Sequence, residues 1–188
     1  MSDTKALLRR EILAELARIP QEKRVEVSSQ ACALLRQQTC WRRARSVLFY
    51  APIQNELDVW PLIDTALAEG KLAALPRYIR KANVYTACRI CDPPRDVAAG
   101  HLRIREPREH CSEVPLKHLD FVLVPGVAFD MHGCRLGRGK GFYDRLLQAI
   151  VGTTCGVAFE EQIVREVPVE PHDVHLDCIL TPRRWIEL

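Results

Sequence analysis

Residues 135–147, RLGRGKGFYDRLL, set Gly137, Gly139 and Gly141 at alternate positions with Arg138 and Lys140 between them. Alternate glycines let a backbone approach an anion closely, and successive N–H groups can form an anion-binding concavity. A helix predicted from about Gly141 to Ile150 would present its positive N-terminal end to the same place. Arg138 and Lys140 add mobile charge. Asp144, one turn into that helix, could hold a magnesium ion against bound phosphates. The same residues could also make only a solvated basic turn, with Asp144 complementing the helix dipole. Neither standard phosphate template fits. In a Walker A loop a Ser or Thr follows Gly-Lys, whereas Gly141 follows Gly139-Lys140, and the dinucleotide fingerprint G-x-G-x-x-G is here G-x-G-x-G.

Upstream, LDFVLVPGVAFD reads as a buried strand ending in a loop, so the segment runs strand, glycine loop, helix. Five of the nine glycines (Gly126, Gly133, Gly137, Gly139 and Gly141) crowd into it. Elsewhere, Leu8, Ile12, Leu16 and Ile19 recur at helical spacing, predicting a first helix stopped at Pro20. A second helix is predicted over 22–37, with Ala31, Leu34 and Leu35 on its apolar side. SVLFYA at 46–51 is a wholly apolar strand of the doubly buried kind. Asp58 can cap a following helix that Gly70 ends. KLAALP, VYTACRI, residues 119–125, TTCGVAF and CILTP are further predicted strands. Residues 92–118 look irregular apart from a short strand at HLRIRE. Strands alternating with helices imply βαβ units and a mostly parallel sheet covered on both faces. Ligands of such sheets sit beyond the carboxyl ends of strands. Three segments follow strands in this way: PIQNELD, the glycine loop, and EEQIVREVPVEPHDVHLD.

A chain of 188 residues is most simply one domain, here spanning 1–188 without repeat or linker. The net charge of +3 suits an anionic small molecule and is no footprint of a nucleic-acid partner. No apolar run approaches the ~18 residues of a membrane span. The charged N-terminus lacks the apolar core of a signal peptide. A cytoplasmic location is therefore expected. The eight cysteines are scattered singly through apolar segments and read as buried free thiols. Cys88 and Cys91 form C-x-x-C, and His101, His110 and Cys111 follow. No second ligand pair stands at zinc spacing, so metal or redox use of the pair is not expected.

PIQNELD, PGVAFD, RLGRGKGFYD and EPHD together resemble the 5-formyltetrahydrofolate cyclo-ligase family, also called 5,10-methenyltetrahydrofolate synthetases. The resemblance runs from KALLR near the start to ILT near the end. It implies a three-layer α/β/α domain with a mostly parallel sheet, like ribose-phosphate isomerases and CoA transferases. It also implies an ATP- and Mg2+-dependent closure of 5-formyltetrahydrofolate to 5,10-methenyltetrahydrofolate with release of ADP and phosphate. In that reaction the formyl oxygen takes the γ-phosphoryl group, and N10 attacks the iminium phosphate. A monomer is expected.

Carried onto this chain, the resemblance implies ATP contacts at Lys5, Arg9, Arg135, Leu136, Gly137, Arg138, Gly139, Lys140, Gly141, Phe142 and Tyr143. Folate contacts are implied at Ala51, Glu56, Arg138, Gly139, Lys140, Gly141 and Phe142. Lys140 and Arg138 are the catalytic candidates, and Asp144 and Asp173 the magnesium ligands. His172 and Asp177 are nearby structural candidates. Lys5 and Arg9, at i and i+4, can face one anion, although residues alone would read as a solvated helix face. Glu56 could equally be an exposed loop acid. Phe142 departs from the family's common tyrosine, keeping a ring for stacking and losing a hydroxyl. A non-catalytic nucleotide- or folate-binding regulator would keep the same loop but not need Asp144, Lys140 and Glu56 together. A sugar-phosphate isomerase on this fold would instead need acid–base groups placed for enolisation.

Overall fold

Ile12 and Leu16, one turn apart in the first predicted helix, are buried in the core. They anchor α1 (Ser2–Ala17) in a computed structural model that describes residues 2–170 and 173–188. Pro20 separates α1 from α2 (Gln21–Arg36), which buries Ala31, Cys32 and Leu35. The short α3 (Thr39–Arg43), absent from the sequence reading, is held by fully buried Trp41. β1 (Ser46–Leu48) ends earlier than its apolar run suggests. After Phe49 N–H donates to the Ala74 carbonyl at 2.9 Å, Tyr50 turns inward and its hydroxyl donates to the Leu57 carbonyl. Asp58 accepts the Trp60 N–H at 2.9 Å, starting α4 (Trp60–Ala68). Gly70 closes that helix with φ +72°, a conformation open to a residue without Cβ.

β2 (Leu72–Ile79) and β3 (Val84–Ile90) form an antiparallel hairpin. The stretch read as irregular is organised into α5 (Pro93–Asp96), β4 (Val97–Ala99), β5 (Arg105–Pro107) and β6 (Glu113–Val114). β7 (Phe121–Pro125) follows. The glycine loop does not leave β7 directly: β8 (Ala128–Phe129) and β9 (Arg135–Leu136) stand between as a small hairpin. α6 (Phe142–Leu147) is shorter than predicted. β10 (Thr153–Val157), β11 (Cys178–Leu180) and a last strand the sequence reading missed, β12 (Trp185–Glu187), complete the chain.

The main sheet has the order β12-β11-β10-β7-β1-β2-β3-β6. Its five central strands, from β11 to β2, are mutually parallel, and β12, β3 and β6 join antiparallel at the edges. Strand alternation divides the core between the two faces. Val47, Ala73, Phe121, Leu123 and Cys155 pack with α1 to α4 on one side. Leu48, Ala74, Val122 and Val124 pack with Leu146 and Leu147 of α6 on the other. The fold is thus an α/β/α layering about a mostly parallel sheet. From β1 the chain moves outward through β2, then returns to β7 on the opposite side of β1. The carboxyl ends of β1 and β7 therefore form a topological switch point, where loops diverge and leave a crevice. No helix among the described residues is long and apolar enough to cross a membrane.

Candidate active site

The crevice at that switch point is a cleft open to solvent. Tyr50, Ala51 and Glu56 enter it from the loop after β1, and Pro125 and Gly126 from the end of β7. The glycine loop supplies Gly137, Arg138, Lys140 and Gly141, and α6 supplies Phe142, Tyr143 and Asp144. Two of the three proposed strand-end segments thus meet in one place.

Gly139 and Gly141 adopt φ of +94° and +63°, where a side chain would be strained, so the loop can turn sharply into α6. Arg138 and Lys140 are exposed on this turn. Arg138 reaches across the cleft to Glu56, Nη2 to Oε1, at 3.6 Å. Glu56 is no exposed loop acid. Its side chain is about 10% exposed and accepts the Ile53 N–H at 3.1 Å. Burial pushes its pKa up to about 7, against the opposing pull of the Ile53 N–H and Arg138.

Below the loop, Arg135 is almost wholly buried and donates from Nη2 to Asp144 Oδ1 at 2.5 Å. Nη1 of Arg135 donates to the Pro125 carbonyl, and the guanidinium lies 5.8 Å from the Tyr143 ring centroid. Burial also raises the pKa of the Tyr143 hydroxyl, keeping it neutral. Leu136 faces the core, its carbonyl accepting the Val127 N–H.

α1 contributes from the other side of the loop. Arg9 Nε donates to the Gly137 carbonyl at 2.8 Å. One turn away, Lys5 pairs with Asp173 at 2.9 Å and with Glu170 at 3.5 Å. Asp173 also accepts the Glu170 N–H at 2.8 Å and so shapes its own turn. The structure thus connects α1, the glycine loop and the segment before β11, while Lys5 and Arg9 do not line the cleft itself. Asp177 accepts the Thr154 N–H and hydroxyl, both at 2.7 Å, which ties β10 to β11. His172 lies outside the described residues.

An aromatic wall was not foreseen. Phe142 meets Tyr78 and Tyr85 edge-on, at centroid distances of 5.4 and 5.3 Å, and Tyr78 stacks on His101 at 4.3 Å. Leu102, Ile104 and Glu106 close this side of the cleft. Tyr85 is the second residue of the predicted strand VYTACRI, and Ile104 and Glu106 fall in the HLRIRE segment, but nothing local indicated that these segments would face the glycine loop.

All eight cysteines are free thiols. Cys88 is buried in β3 and Cys91 is exposed after it. Asp96, His110 and Cys111 offer ligand atoms within 4.8 Å of one another, but each is already engaged. His110 pairs with Asp96 Oδ1 at 2.9 Å, and the Cys111 thiol donates to the Asp96 carbonyl.

A profile of the 5-formyltetrahydrofolate cyclo-ligase family matches residues 1–182. The chain belongs to that family. The Escherichia coli K12 5-formyltetrahydrofolate cyclo-ligase is 32% identical over 171 residues, covering 87% of this chain and 92% of its own. The Mus musculus cyclo-ligase is 28% identical over 191 residues, covering 96% and 94%. The solution structure of Aquifex aeolicus 5,10-methenyltetrahydrofolate synthetase superposes with a TM-score of 0.88 at 32% identity, covering 97% of this chain and 92% of that one. The chain is accordingly a cyclo-ligase enzyme, and its layered sheet is the fold of that synthetase.

Proposed function

We propose that this cyclo-ligase uses ATP and magnesium to close 5-formyltetrahydrofolate to 5,10-methenyltetrahydrofolate within the cleft at the ends of β1 and β7. The observation carrying this reading is the Arg138–Glu56 pair at 3.6 Å. It sets the glycine loop against the loop after β1. A flat pterin can lie against the Tyr85 and Phe142 rings that line the cleft, and a phosphate fits a backbone with glycines and two exposed cations.

In the reaction, the formyl oxygen attacks the γ-phosphorus and the bond to ADP breaks. N10 then attacks the formyl carbon, the carbon–oxygen bond breaks, phosphate departs, and N10 gives up its proton. Arg138 and Lys140 stabilise the charge that develops on the transferring phosphoryl group. Arg9 holds the loop through the Gly137 carbonyl, so the cations are positioned before ATP arrives. Glu56 and Ala51 line the folate side, and Phe142 offers its ring. No protein nucleophile is needed.

The donors suit a hard cation. Among the described residues lining the cleft there is no thiol or imidazole, and Asp144 lies beside the lysine-bearing loop. Asp144, with Asp173 from the α1 side, would hold magnesium by exchanging their present partners Arg135 and Lys5, and the ion when bound would neutralise triphosphate charge. Incubation with ATP, magnesium and 5-formyltetrahydrofolate tests the proposal: methenyl absorbance and ADP should rise together. Methenyl product formed without ATP consumption would overturn it.

A further inference from the structure

Three carboxylates line the cleft, and two of them face arginines: Glu56 with Arg138, and Asp144 with Arg135. The third, Glu106 on β5, is only 8% exposed and has no ion pair among the described residues. It accepts two backbone N–H groups, from His101 at 3.1 Å to Oε1 and from Tyr78 at 3.3 Å to Oε2. The approach is built in. A Cβ at Gly100 would lie 2.6 Å from the Glu106 carboxyl carbon, so only glycine admits the carboxylate there. Tyr78 lies beyond Ala74, the last residue of β2 paired with β1, which leaves room for the carboxylate to reach its N–H.

A carboxylate oxygen can accept two hydrogen bonds, so each oxygen of Glu106 retains capacity after its single backbone bond. Buried acceptors left unfilled are costly, and a ligand that brings donors would satisfy them. The neighbouring groups narrow the ligand's shape. Tyr85 and Phe142, edge-on at 5.3 Å, line this part of the cleft and give a flat ring an aromatic surface to lie against, while Tyr78 packs behind them on His101. A planar ligand edge with two adjacent N–H donors matches the two free acceptor positions beside these rings.

We propose that Glu106 is a substrate-recognition residue that reads the 2-amino and N3–H edge of the pterin ring. The inference rests on the folate reading above and adds to it a second, unpaired carboxylate with its own task. Glu56 remains beside Arg138 on the folate side, and Glu106 takes the 2-amino and N3–H edge of the pterin.

Equilibrium binding without ATP tests this, using 5-formyltetrahydrofolate and its 2-desamino-2-methyl analogue with the wild type, E106Q and E106D. Near-UV circular dichroism reports whether each variant is folded. E106D retains the charge and backs it away by one methylene, so it covers the case in which E106Q does not fold. The wild type should prefer the parent ligand by roughly 10- to 100-fold, the worth of a charge-assisted hydrogen bond. Either folded variant should bring the two affinities to within a few-fold while leaving binding of a non-hydrolysable ATP analogue unchanged. A folded variant that keeps the wild-type preference, or a wild type that binds both ligands equally, would overturn the role of Glu106. A wild type that binds neither folate ligand would instead remove the folate reading itself.

Discussion

Arg135 Nη2 and Asp144 Oδ1 meet at 2.5 Å beneath the glycine loop, joining β9 to α6 across the turn that carries Lys140. The pair makes Asp144 structural as well as a proposed metal ligand. Asp144→Asn keeps an acceptor for Arg135 but removes its counter-charge, and should cost about 2 kcal/mol in urea unfolding. Asp144→Asn and Asp173→Asn should each raise the magnesium concentration needed for half-maximal turnover, while sparing folate binding without ATP. Unchanged magnesium titrations in both variants would sink the shared site.

Glu56 gives the cleft a pH dependence. Burial lifts its pKa from 4.5 to about 7, so the folded state holds its proton where the unfolded state has lost it. This group's stabilising contribution is full below about pH 4.5 and is lost as pH rises through 7. Glu56→Gln removes the titration. Relative to wild type, the variant should gain about 2–3 kcal/mol of unfolding free energy between pH 5 and pH 8.5. Parallel stability profiles for the two proteins would contradict it.

Lys140 is exposed on a turn whose shape the glycines set. Lys140→Ala should leave the unfolding midpoint unchanged and lower turnover by ~10²-fold or more. Near-normal turnover in the folded variant would take this lysine out of the chemistry.

Phe142 packs edge-on against Tyr78 and Tyr85, with the Arg145 guanidinium 5.1 Å from its ring centroid. Phe142→Tyr should alter folate affinity little. Phe142→Ala should weaken it by ~1–3 kcal/mol through lost contact area. An alanine variant with full folate affinity would show that the ring serves only the protein's own packing.

The cysteines differ sharply in reactivity. Burial raises the Cys32 thiol to about 12 and the Cys88 thiol to about 11, whereas Cys91 is exposed. A disulfide-exchange reagent should modify Cys91 rapidly in the native protein and all eight thiols after unfolding, with no zinc released. Rapid native modification of Cys32 or Cys88, or stoichiometric zinc, would show a different thiol environment.

Much of the architecture is local in origin and could be read directly from the chain. Ile12 and Leu16 mark α1 by helical spacing, Gly70 ends α4, and the apolar strands around Val47, Phe121 and Cys155 announce a sheet covered on both sides. The chemistry of residues 135–144 was equally legible, because alternate glycines and interleaved cations need no distant partner to be recognised. Strands of two or three residues, such as β8, β9 and β12, were missed. Their pairing partners, not their own propensities, stabilise them.

Long-range contacts decided the rest. The sequence left Glu56 as a folate contact implied by the resemblance or an exposed loop acid, and only packing after β1 withdrew it from water and set it against Arg138. Lys5 and Arg9 read as a solvated helix face until the fold set them against Asp173 and Gly137. Tyr78, Tyr85 and Glu106 carry no motif, since their role depends on β2, β3 and β5 lying opposite a loop some fifty residues downstream of Tyr85. Residue types determined what chemistry was available to this chain. Only the switch point between β1 and β7 determined which of those residues share one cleft, because side chains distant in sequence acquire a common environment through the sheet order alone.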